Sequence, residues 1–87
     1  MPYRVQVLPK VMKFIQRNPE LRLLWEERRP HLLESPRLGQ GIRHLAEQFH
    51  CNYRIRLDVW RLLYEVDDEN GIVLIYRARA RDDAYDP

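Results

Sequence analysis

The sequence predicts an α+β fold: an N-terminal strand, then a helical hairpin packed on one face of a largely antiparallel four- to five-stranded sheet. Three observations point there. Apolar and polar residues alternate at the start of the chain and again through its second half, as strands require. Between those stretches the apolar positions recur at three and four, as a helix requires. Helical and extended runs are also grouped rather than interleaved, which separates α+β from βαβ architectures. Eighty-seven residues make one domain, 1–87, with a modest core and no room for a large internal cavity.

Each element has its own signal. "YRVQVL" at 3–8 alternates Tyr3, Val5 and Val7 with Arg4 and Gln6, a strand with one buried face. Pro9 suits the first turn of a helix, and Val11, Met12, Phe14 and Ile15 give residues 9–17 an apolar side. Asn18 is placed to N-cap a second helix opening at Pro19. Leu21, Leu24, Trp25, Arg28 and Leu32 lie along one side of it. Pro30 lacks a backbone donor, so a kink or a fresh start is expected there. "ESPRLGQG" is a loop. "IRHLAEQF" at 42–49 gives a short strand, with room for a bend. "NYRIRL" then alternates Tyr53, Ile55 and Leu57 with Arg54 and Arg56. Asp58 and Val59 make a turn and "WRLLYEV" the next strand. "DDENG" turns again, with Gly71 suited to positive φ. "IVLIYRAR" is apolar on both faces in its first half, which marks a central strand. "DDAYDP" closes the chain as a tail or a single helical turn.

Charge narrows the function less by amount than by kind. The net charge of +2 does not by itself announce a nucleic-acid binder. Thirteen arginines stand against two lysines, and arginine suits bidentate phosphate contacts and stacking on bases. A GC-rich genome also encodes arginine freely, so the distribution carries more weight than the count. Arg54, Arg56, Arg61, Arg77, Arg79 and Arg81 fall in the last third, on or beside expected strands. Three of them surround one turn. The bland account is a solvated sheet face set against Asp58, Glu65 and other acids; the functional one is a site for an anion. No apolar run reaches the length of a membrane span, and "MPYRVQVLPK" has no signal-peptide core. Cys51 is the single cysteine, which excludes an internal disulfide and fits a reducing, cytoplasmic setting. It reads as a half-buried small hydrophobe. Trp25 and Trp60 read as core or half-buried residues.

The order β-α-α-β-β-β-β, "LLESPR" after the helical hairpin, "YRIRL…WRLLYEVDD" in the paired strands and "RARARDDAY" at the end resemble the RelE/ParE superfamily. These are toxins of bacterial type II toxin–antitoxin modules. The resemblance covers nearly the whole chain and favours the RelE-like branch. It implies a ribosome-dependent endoribonuclease that cleaves mRNA and so inhibits translation. Arg61, Arg79, Tyr85 and Arg56 correspond to the catalytic positions; Arg54, Arg56 and Arg81 correspond to RNA-binding ones. It further implies a cognate antitoxin in a heteromeric complex, the ribosome and mRNA as partners, and no membrane. The alternatives are a ParE-like DNA gyrase inhibitor without nuclease activity, or a degenerate homologue that only binds its antitoxin. Where RelE members carry a lysine pair, this chain has Arg54 and Arg56, and arginine cannot act as a base near neutral pH.

Cleavage through the 2′-hydroxyl needs a proton acceptor, stabilisation of the phosphorane charge and a proton for the leaving oxygen. Arginines supply the second. Glu47 and His44 are the candidates for the first, although each is also an ordinary surface residue type. Tyr85 either packs on the sheet as a lid or orients the nucleotide. His31, next to Pro30, has no assigned role. His44, Glu47, His50 and Cys51 lack four well-spaced ligands, so no metal is expected, and no other cofactor.

Overall fold

A computed structural model describes residues 3–45 and 52–80. The elements run β1 (Arg4–Val7), α1 (Pro9–Arg17), α2 (Pro19–Glu34), β2 (Ile42–His44), β3 (Asn52–Leu57), β4 (Trp60–Asp67) and β5 (Ile72–Ala80). The five strands form one sheet in the order β1-β5-β4-β3-β2. β1 lies parallel to β5; every other pairing is antiparallel. The expected α+β architecture and largely antiparallel sheet are therefore present. β5, flanked by β1 and β4, is internal, as its two apolar faces require.

The helices cover one face of the sheet. Val11 and Ile15 of α1 and Leu21, Trp25 and Leu32 of α2 pack into a single cluster. The sheet contributes Tyr53, Ile55, Leu57, Leu62, Tyr64, Val66, Val73 and Ile75 to it. Each sheet member is spaced by two from the next on its own strand, so strand periodicity fixes which face is buried. Trp60 is half-buried, with Phe14 edge-on to its ring at 5.9 Å. Trp25 is in the core.

One local expectation needs correction, and two others are made specific. Asn18 does stand at the N-terminus of α2, but its side chain makes no cap there. Its Nδ2 donates to the Phe14 carbonyl at 2.7 Å, so it closes the end of α1 instead. Two helices meeting at one residue leave orphan groups on both sides, and the side chain can serve only one. Pro30 starts no new helix: α2 is one element through it to Glu34. Only one turn follows, so few backbone bonds depend on the missing donor. The strand expected over 42–49 is three residues long, Ile42–His44, followed by a further bond from Leu45 N to the Asn52 carbonyl. Residues 46–49 lie outside the described residues.

The segment joining α2 to β2 crosses the end of the sheet and is tied down by polar contacts. The Tyr64 hydroxyl, buried, donates to the Pro36 carbonyl at 2.6 Å. Arg37 Nη2 pairs with Asp68 Oδ2 at 2.6 Å, and Tyr3 donates to the other carboxylate oxygen at 2.6 Å. Those two contacts hold the Asp68 carboxyl below its usual range, the tyrosine first and the arginine second. Gly41 sits at φ 79°, and an added Cβ would come within 2.8 Å of the Arg56 carbonyl oxygen. That close approach brings the loop against β3, where Arg56 N donates to the Gly41 carbonyl.

Candidate functional site

The face opposite the helices is organised by register. Arg56 of β3 stands opposite Arg61 of β4, which stands opposite Arg79 of β5. Two residues along, Arg43 of β2, Arg54 of β3, Leu63 of β4 and Arg77 of β5 form a parallel row. Each of these residues neighbours, in its strand, a core residue or one packed against the core, so pleating turns all of them to the far face. Adjacent strands lie about 4.8 Å apart and the two rows about 7 Å apart, so the arginines share a patch on the scale of a few nucleotides.

Like charges directly opposite one another weaken a sheet. Two such rows concentrate positive potential that an anion would relieve. The Nε atoms of Arg54 and Arg61 are shielded from solvent, so these side chains are partly packed rather than fully solvated. Acids occupy the other end of the same face. Glu65 stands opposite Asn52 and Leu74, and Asp67 opposite Ile72. The face is thus polarised along the strands, basic towards the β3–β4 turn.

The structure brings Arg54, Arg56, Arg61 and Arg79 together. It does not bring His44 to them. His44 pairs with Tyr53, in line with Tyr64 and Ile75 on the helix-covered face, and its ring lies 4.8 Å from that of Tyr53. Glu47, Arg81 and Tyr85 lie outside the described residues, as do His50 and Cys51. Among the described residues no cluster of histidine, cysteine and carboxylate groups could hold a metal ion. A shallow depression beside α2 is lined by Glu27, Arg28, Arg56 and Asp58 among others. Its mixed charges do not make an anion site.

Sequence reasoning passed over Arg43 and named Arg77 only among the arginines of the last third. Alternation around Ile42 and His44 was the available signal for Arg43. For Arg77 the signal was its parity with Arg79. Tyr76 could not have been placed from sequence, because a shift in the β4–β5 register intervenes.

Neither a family model nor a curated protein matches the chain by sequence. Solved structures do match. The archaeal RelE–RelB complex from Pyrococcus horikoshii OT3 superposes with a TM-score of 0.78 at 28% identity, covering 97% of this chain and 100% of that one. The RelBE2 toxin–antitoxin complex from Mycobacterium tuberculosis gives 0.73 at 25%, covering 93% and 100%. A double arginine-to-alanine variant of the E. coli toxin RelE in the free state gives 0.72 at 23%, covering 92% and 84%, a likeness of fold. Strand order, helical hairpin and end-to-end correspondence agree, and this likeness supports a RelE-like toxin of the toxin–antitoxin superfamily.

Proposed function

We propose that this chain is the toxin of a type II toxin–antitoxin module and acts as a ribosome-dependent endoribonuclease on mRNA. The observation that carries the reading is the pair of arginine rows on the face opposite the helices. In the reaction, the 2′-hydroxyl oxygen attacks the adjacent phosphorus and gives up its proton. The bond from phosphorus to the 5′ oxygen breaks, and that oxygen takes up a proton. Negative charge builds on the phosphoryl oxygens in between. Arg61 and Arg79, side by side on β4 and β5, are suited to hold those oxygens, with Arg54 and Arg56 on the flanking backbone.

The arginines stay protonated throughout, so they supply charge and orientation. The acceptor for the 2′ proton is a separate group. Glu47 is the remaining candidate of the two, since His44 is on the helix-covered face. Alignment of the reacting groups by the ribosome would supply much of the remaining acceleration. The P. horikoshii structure is a RelE–RelB complex and the M. tuberculosis structure a toxin–antitoxin complex, which supports a cognate antitoxin for this chain too. Among the described residues no helix is long and apolar enough to cross a membrane.

Brief induction of the chain in cells tests the reading. We expect translation to stop while mRNA accumulates cuts within coding regions. DNA breaks and filamentation with intact mRNA would instead identify a gyrase inhibitor.

A further inference from the structure

The β4–β5 pairing slips by one residue. Leu63 stands opposite Arg77, but Tyr64 stands opposite Ile75, so Tyr76 has no counterpart on β4. Val73 and Ile75 face the core, so alternation puts Tyr76 on the far face. The bulge sets two consecutive residues against one, so that Arg77 follows Tyr76 on that face and Ala78 returns to the helix-covered one. The hydroxyl of Tyr76 shows where this one goes. It donates to Asn52 Oδ1 at 3.3 Å, and Asn52 stands in the Glu65–Leu74 row on the arginine face. β3 and β5 are separated by β4, so the ring lies across β4 on that face. Tyr76 is accordingly absent from the residues that pack against the core.

We propose that Tyr76 is a base-stacking residue: it supports one nucleobase of a single-stranded RNA whose phosphates lie on the arginine rows. The inference rests on the nuclease reading and deepens it. The ring stands at the border of the basic half, beside the row in which Leu63 interrupts Arg43, Arg54 and Arg77. Leu63 is the apolar member of that row, with Arg54 on one side of it and Arg77 on the other. That is the arrangement by which single strands are gripped: cations on the backbone, an aromatic face under a base. Asn52 is the positioning residue, because its hydrogen bond fixes the ring lengthwise across the strand. The ring tolerates any base, so it aligns the strand more than it selects a sequence. It is distinct from Tyr85, nine positions later and outside the described residues.

The test is cleavage of mRNA on programmed ribosomes by the full chain, using intact mRNA and mRNAs lacking one base at each A-site position in turn. Wild type should lose roughly 5- to 150-fold on one of the abasic mRNAs, the usual range for one stacked base. Tyr76→Leu should lose the same factor on intact mRNA and nothing further on that abasic mRNA. Tyr76→Phe should restore most of the loss, and all variants should show cooperative thermal unfolding. A Tyr76→Leu chain that cuts intact mRNA at the wild-type rate overturns the proposal. So does one that loses equally on intact and abasic mRNA, which is the behaviour of a merely structural ring. Arg61→Ala separates this failure from failure of the nuclease reading. If wild type cuts, Arg61→Ala does not and Tyr76→Leu is unimpaired, only the stacking role is wrong. If wild type cuts no mRNA, both fall together.

Discussion

Arg56, Arg61 and Arg79 stand abreast on three strands, and the choice of arginine at the first of them limits the chemistry. Its guanidinium holds a phosphate oxygen well but cannot accept a proton near neutral pH. Arg56 is exposed, and its Nε makes only a long contact, 3.4 Å, with the Asp58 carbonyl. If its role is charge and grip, a lysine in its place keeps the charge and adds a group that can titrate. We therefore expect Arg56→Lys to cleave at least as fast as wild type on programmed ribosomes. A folded Arg56→Lys chain without activity would show that the two-pronged guanidinium geometry is required. Residue chemistry of this kind was legible in the sequence, because the alternation of Tyr53, Ile55 and Leu57 with Arg54 and Arg56 already assigned the faces. What alternation could not supply was the partner across each strand. That needs the register, and register placed Arg43 and Arg77 in the same row as Arg54.

At the level of elements, strands and helices followed their periodicities, while the junctions followed local competition for hydrogen bonds. Asn18 serves the end of α1 rather than the start of α2, and the bulge beside Tyr64 breaks the parity that sequence alone assumes. Tyr64 ties two elements together. Its ring is in the core, stacked 5.9 Å from that of Tyr53, and its hydroxyl holds the loop after α2 through the Pro36 carbonyl. Burial pushes this hydroxyl well above the phenol range; Tyr53 adds to the shift and Arg28 opposes it. The folded chain thus holds the proton more tightly than the unfolded chain. The resulting stability is present in full below about pH 10 and is lost as pH rises through the folded value. Tyr64→Phe should cost about 1–2 kcal/mol at neutral pH by leaving the Pro36 carbonyl without its donor. Denaturant midpoints measured from about pH 9 upward should fall less steeply in Tyr64→Phe than in wild type. Parallel curves would mean that the hydroxyl is ionised as easily in the folded chain as in the unfolded one.

For the whole molecule, the sheet divides the work. One face holds the core under the helical hairpin, and the other carries charge graded from arginine rows to Glu65 and Asp67. An antitoxin that silences such a face should approach it electrostatically. A segment with acidic residues would pair with Arg54, Arg61 and Arg79, and its apolar residues would bury on the hairpin or sheet. The association rate should then fall between about 50 mM and 500 mM salt while the dissociation rate changes little. Surface plasmon resonance gives both, and a salt-independent association rate would place the contact away from the arginines. The central claim, that this face stabilises a phosphate undergoing transfer, is tested most directly by single-turnover mRNA cleavage on programmed ribosomes. Wild type is compared with Arg61→Ala and Arg79→Ala. The account predicts site-specific cuts by wild type and rates lower by about two to three orders of magnitude in each variant. Undiminished cutting by both folded variants would contradict it.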